Sequence, residues 1–257
     1  NIYNIMKIRI FLLLTILALP LGSLMAQSNK SDAARLHLKG DVRSVLETTR
    51  NGKHQVVGQP IRYTFDARGN YERVEYFDTA GTLAISVLYS YDKRGNLMKD
   101  NRLSEPFNHL DAVTDYAYDK KSRTLTATML EIDDTNTYRT TYTYDRLGNE
   151  VEVRLFDEKG DTLGSEAKEY DTYGNMVRKT YYQGTNHLYR GETIYRYDTD
   201  GNVVEENNMD LNRVTWALLY SYAFDEQGNW TVCYKFRVTT SEASLYEIVS
   251  RKITYNE

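Results

Sequence analysis

Aspartate recurs in this chain at positions 66, 92, 119, 145, 171, 198 and 225, at intervals of 26, 27, 26, 26, 27 and 27 residues. Each copy sits in the same short context: "YTFDARGN", "YSYDKRGN", "YAYDKKSR", "YTYDRLGN", "KEYDTYGN", "YRYDTDGN" and "YAFDEQGN". So regular a period over most of a 257-residue chain is the mark of a repeat architecture. The motif is therefore a unit of construction before it is a candidate site.

Physical chemistry assigns a role to each part of the unit. Aromatic residues two apart, such as Tyr142 and Tyr144, leave one face of a strand. An aspartate followed three residues later by glycine suits a tight turn, in which the carboxylate accepts backbone N–H groups and glycine takes positive φ. This makes Asp66 and Gly69, Asp92 and Gly95, Asp145 and Gly148, Asp171 and Gly174, Asp198 and Gly201, and Asp225 and Gly228 structural turn pairs. Asp119 has no glycine partner, because Ser122 and Arg123 replace Gly-Asn; that turn is expected to adopt another shape and not to place Ser122 at positive φ. After the turn a strand resumes, as in "EVEVRLF" (150–156), where Val151, Val153 and Leu155 read as the apolar face and Glu150, Glu152 and Arg154 as the charged one. A second turn signal follows about ten residues later, at "FDTAGT", "FDEKGD", "QGTN" and "MDLN". The expected fold is all-β: a curled antiparallel meander of about seven repeated β-hairpins, flanked by leading and closing strands, in one repeat domain over 36–257. Residues 27–35 read as a polar leader.

The first 26 residues carry Lys7 and Arg9, an apolar run from Ile10 to Leu19 broken by Thr15, and Ala26 before polar sequence. This is the layout of a signal peptide, with Met6 as the expected start, and it is too short to span a bilayer. No cysteine lies near Ala26, so the expectation is a soluble exported protein, periplasmic or extracellular and not a lipoprotein, with no transmembrane segment after cleavage. Without these residues the chain has 30 basic and 36 acidic side chains, a net charge of −6, and no basic cluster suited to nucleic acid. Cys233 is the one cysteine, which rules out an intrachain disulfide.

The motif does not read as chemistry. A catalytic carboxylate belongs to a unique pair in a pocket, whereas an aspartate repeated seven times in a turn is a turn former. "DTDGN" (198–202) mimics the centre of a calcium loop, but Arg196 and Asn207 fall where ligating carboxylates are needed. The four histidines are too scattered for a zinc motif, so no metal or cofactor is expected. Repeat tyrosines read as a packed cross-strand ladder. Tyr173, Tyr182, Tyr189, Trp216 and Trp230, which the repeat does not demand, are the binding candidates.

The Tyr-Asp step followed by a Gly-Asn turn, in seven copies from Tyr63 to Phe236, resembles the YD repeats of the Rhs family. The lead-in "LKGDVRSVLET" and the ending "SRKITY" also resemble small exported YD-repeat proteins of Bacteroidota. The resemblance implies hairpins curling into a shell, cell-surface location and carbohydrate binding; the large relatives enclose a toxin, and no toxin domain is expected here. The expected function is a non-enzymatic binding or structural scaffold of the cell envelope, its partner an envelope glycan or another surface or secreted protein. The alternatives are a glycan-cleaving enzyme and an accessory shell partner of a secreted toxin.

Overall fold

The computed structural model describes residues 31–133, 136–211, 213–239 and 242–256. The signal segment and the first part of the leader lie outside the described residues. A short helix, α1 (Asp32–Arg35), precedes β1 (Val42–Asn51), β2 (Ile61–Phe65), β3 (Tyr71–Phe77), β4 (Leu83–Tyr91) and β5 (Leu97–Ser104). Next come β6 (His109–Asp119), β7 (Thr124–Glu131), β8 (Thr137–Tyr144), β9 (Glu150–Phe156), β10 (Thr162–Tyr170) and β11 (Met176–Gln183). The chain ends with β12 (Leu188–Tyr197), β13 (Val203–Asp210), β14 (Arg213–Phe224), β15 (Trp230–Val238) and β16 (Ala243–Tyr255).

Each strand pairs antiparallel with the next, and β1 pairs with β16 from Val42↔Tyr255 to Asn51↔Glu247, closing a barrel of 16 strands. This corrects the expectation of a curled meander: seven hairpins, one leading strand and one closing strand form a complete ring. Closure has a physical reason, because β1 and β16 are long and in register and would otherwise be exposed edges with unpaired backbone groups.

The motif turns are built as the sequence implies. At Asp145, Oδ1 accepts the N–H groups of Leu147 and Asn149 at 2.8 and 2.9 Å, and Gly148 sits at φ 86°. Asp78 and Asp157 repeat this bonding in the second turns at the other end of the barrel. The degenerate turn differs, as expected: positive φ falls on Arg123 (54°), not Ser122, whose hydroxyl instead donates to Asp119.

Every Gly-Asn turn is accompanied by a register shift at the foot of its hairpin, for example between Thr143 and Tyr144, while β6 and β7 pair without one. Tyr144 faces Glu150 and Tyr142 faces Val153, so Val151 is the extra residue of a bulge. This corrects the simple alternation read from "EVEVRLF": Glu150 shares the inward face with Tyr144, and the charged outer face keeps only Glu152 and Arg154. The same offset turns Asp100, Lys179, Glu206 and Cys233 inward.

The inner face of the first half is packed with aromatics. Tyr63, Phe65, Tyr71, Val74, Tyr76 and Val87 form one buried cluster, and Leu97, Tyr116, Leu125, Tyr142 and Tyr144 form a second. Burial of a side chain such as Phe65 stabilises by roughly 1.5–3 kcal/mol. Motif tyrosines also stitch neighbouring repeats, since the hydroxyls of Tyr91, Tyr170 and Tyr197 donate to the carbonyls of Tyr71, Glu150 and Met176. These residues serve architecture, in line with the ladder reading.

Candidate functional site

The two halves of the inner wall differ. From β2 to β9 it is filled by the aromatic clusters; from β10 to β16 it is more polar, with Thr193, Leu218, Cys233 and Val249 buried and the longer polar side chains only partly so. Register and alternation place Glu166, Lys168, Lys179, Tyr181, Thr193, Tyr195, Glu206, Asn208, Trp216, Tyr220, Lys235 and Glu247 on this open wall.

Hydrogen bonds fix these side chains. Glu206 accepts from the Tyr220 hydroxyl at 2.5 Å and from Asn208 Nδ2 at 3.2 Å, and Asn208 Oδ1 accepts from Thr193 at 3.4 Å. Lys235 pairs with Glu247 at 3.0 Å and lies 5.8 Å from the Tyr220 ring centre. Lys168 pairs with Glu150, and Glu166 stands 3.7 Å from the same ammonium. Burial raises the Glu150 carboxyl, opposed by Lys168. Lys179 lies 4.9 Å from the Tyr181 ring. Burial works against its charge, but the Glu166 carboxylate and the Tyr181 hydroxyl outweigh it and hold the ammonium above its usual range. Aromatic faces thus alternate with charges already matched by a neighbour, which suits an uncharged, hydroxyl-rich ligand better than a strong ion. Among the described residues no group of His, Cys, Asp and Glu side chains is arranged to hold a metal.

The barrel's two mouths are unlike. At the motif-turn mouth, residues 31–41 lie over the opening between the first and last motif turns, which flank the β1–β16 seam: the Ala33 N–H donates to the Gly69 carbonyl at 2.9 Å, and Lys39 exchanges two hydrogen bonds with the Asn229 side chain. The rim formed by the second turns lies at the far end of the strands from this segment.

The five aromatic candidates do not converge. Tyr173 stands 86% exposed at a motif-turn tip. Tyr182 and Tyr189 are register partners on the outer wall, with ring centres 6.5 Å apart at 75°, and His187 stacks edge-on against Tyr182. Trp216 is on the inner wall near the second-turn mouth, with the Arg237 guanidinium 5.8 Å from its ring centre. Trp230 is on the inner wall near the motif-turn mouth, covered by Arg251 at 3.5 Å. The charged and tyrosyl lining of the open wall carries one signal in the sequence, a charged residue four after the motif asparagine (Lys179, Glu206), masked by the bulge.

No protein-family model matches this sequence, and no curated protein does. Among solved structures, the fold is similar to that of a porin-like protein from Bacteroides uniformis ATCC 8492, with a TM-score of 0.58 and 11% identity over 84% of this chain and 99% of that one. That is a likeness of fold alone. A porin-like protein from Bacteroides vulgatus ATCC 8482 (TM-score 0.35, 11% identity, 84% and 99% coverage) and the Photorhabdus luminescens Tc holotoxin pore (TM-score 0.25, 13% identity, 76% and 14% coverage) align too loosely to carry an argument.

Proposed function

We propose that this protein is a non-enzymatic, exported binding scaffold of the cell envelope, whose barrel takes a neutral carbohydrate against the inner wall of β10–β16. The observation that carries the reading is that wall itself: tyrosine and tryptophan faces set between internally paired charges and left partly open, while the opposite wall is packed shut. Sugar rings stack on aromatic faces, and their hydroxyls match groups such as Glu206 and Asn208. The Rhs-type motif supports a cell-surface role by resemblance.

The likeness to a porin-like fold raises the reading of a lipid-embedded pore, and the outer wall argues against it. Arg62–Glu75, Lys99–Asp115, Arg154–Glu152, Arg178–Glu169 and Arg196–Glu205 pair across the outside of the barrel. A charge facing lipid at the bilayer midplane costs roughly 2–4 kcal/mol. A wall belted by such pairs suits water.

The test is binding of the purified chain to a glycan array, followed by calorimetry on the strongest hit. Tyr220→Ala or Trp216→Ala should weaken binding at least tenfold, while Tyr189→Ala on the outer wall and Tyr173→Ala at the turn tip should leave it unchanged. Loss through Tyr189→Ala alone would move the site to the outer wall. Turnover of a polysaccharide would replace the scaffold reading by the enzymatic one.

A further inference from the structure

The segment over the motif-turn mouth touches the first and last motif turns, which flank the β1–β16 seam, and reaches on to the sixth, where a Cβ on Gly201 would lie 3.7 Å from the His37 ring. The Ser31 hydroxyl caps α1. Asp32 is 8% exposed, and its Oδ2 accepts the Tyr71 N–H at 2.8 Å. Ala33, Leu36 and Leu38 pack on the first aromatic cluster. The Leu36 carbonyl accepts from Arg251 at 3.5 Å, and Arg251 in turn covers Trp230, which stands at the foot of the strand that carries Cys233 inward. At its far end the Asn229 side chain holds both the N–H and the carbonyl of Lys39, at 2.7 and 2.9 Å. In four other copies the side chain of the motif asparagine instead donates within its own turn: Asn96, Asn149, Asn175 and Asn202 each bond their own aspartate. The asparagine of the seventh copy is thus diverted to tether this strap.

We propose that residues 31–41 form an acid-locked seal over the motif-turn mouth, which loosens when the buried Asp32 carboxyl ionises and so controls access to the barrel interior from that end. The proposal concerns regulation of the binding wall and takes from the preceding reading only that the interior is where ligand goes.

The groups facing Asp32 decide the sign. Arg35 on α1 favours the carboxylate, as do the Tyr71 N–H and the Tyr91 hydroxyl; Asp66 in the first motif turn opposes it, and burial opposes it most. Burial prevails, pushing the carboxyl up to about 6 from 3.8. A carboxyl whose value is raised in the seated state favours seating fully below its free value, and that advantage is lost as pH rises through the seated value. With these two values the seating equilibrium falls by about tenfold between about pH 5 and about pH 7.5. On the same helix, burial works against the Arg35 charge, while Asp32, Tyr144 and Glu150 favour it.

Hydrogen exchange followed by mass spectrometry on the whole chain tests this. After correction for intrinsic rates, protection of 31–41 should fall about tenfold from about pH 5 to about pH 7.5 in the wild type and stay flat in Asp32→Asn, which keeps an acceptor for Tyr71 but cannot ionise. Cys233, on the inner face but only 3% exposed, reports local opening of the wall beside the strap. Its labelling by a small thiol reagent at about pH 7.5 should be slower in Asp32→Asn than in the wild type, and several-fold faster in Asn229→Ala, whose strap is untethered, with protection of β12 unchanged. Equal pH slopes in wild type and Asp32→Asn, or no effect of Asn229→Ala on labelling, would overturn the proposal. Neither measurement uses a ligand, so failure of the carbohydrate reading leaves it standing or falling on its own.

Discussion

Two tyrosines at the same motif position should respond in opposite ways to loss of one oxygen. Tyr116 and Tyr142 both stand three residues before a motif aspartate, and both are buried on the inner face. The Tyr116 hydroxyl donates to Asp100 Oδ2 at 2.6 Å, whereas the Tyr142 hydroxyl is buried without a hydrogen-bond partner. Tyr116→Phe deletes a short bond to a buried carboxyl, a loss of about 2 kcal/mol. Tyr142→Phe removes a desolvated donor that gets nothing in return, so stability should hold or rise by about 1 kcal/mol. The expected gap of about 3 kcal/mol is well above the error of urea unfolding at about pH 7.5, followed by the fluorescence of Trp216 and Trp230. If both variants lose the same stability at unchanged m-value, the Tyr142 hydroxyl has a strong partner and the account of the aromatic core is wrong.

Other consequences are equally open to measurement. Asp100 is pushed up to about 6 by burial, as is Asp32, so both contribute stability that is present below 3.8 and lost as pH rises through about 6. Unfolding free energy should fall by roughly 1–1.5 kcal/mol per group between about pH 5 and about pH 7.5 in pH-dependent urea melts. The motif aspartates Asp92, Asp119, Asp171, Asp198 and Asp225 are held below their usual range, so their contribution is lost only on further acidification. Gly160→Ala tests backbone strain alone, because a Cβ there meets open space while φ is +86°; a loss of about 1–2 kcal/mol is expected, less for Gly160→Asn. Asn229→Ala removes three bonds, two to Lys39 and one to the Tyr255 hydroxyl at 2.8 Å, and should cost about 2–4 kcal/mol in thermal or urea unfolding, against about 1 for Asn96→Ala, which gives up one side-chain bond to Asp92.

What could be read from the residues followed their range of action. Turn geometry is local, so Asp66 and Gly69 announce it within four residues, and the Ser122 exception was legible for the same reason. Period two made the inward tyrosines legible too. Alternation counted straight through "EVEVRLF" placed Glu150 on the wrong face, because the bulge that offsets it arises from pairing with Tyr144 across the hairpin and leaves no mark in the strand itself. Closure depends on β1 meeting β16, some two hundred positions away, and no short stretch encodes it. The open wall of β10–β16 is invisible for a related reason: Glu206, Tyr220 and Lys235 come from separate repeats and meet only once the ring is drawn. The strap over 31–41 was read as part of a polar leader up to residue 35, since Asp32 and Arg35 look like solvent-facing charges until the turn they cover is known.

Closure also constrains how many repeats the protein can have. A hairpin gained or lost through unequal recombination would keep every local rule intact, and each added pair of strands would widen the circumference by about 9.6 Å. The first and last motif turns, which hold the strap, flank the seam where β1 meets β16, so the strap would still reach its tether in a ring of another size. The seam is what counts: every change in copy number must bend all the strands anew to bring β1 back to β16, and the aromatic clusters would lose the depth that packs them. Copy number, free to drift in an open array, is here bound to the curvature of a closed ring.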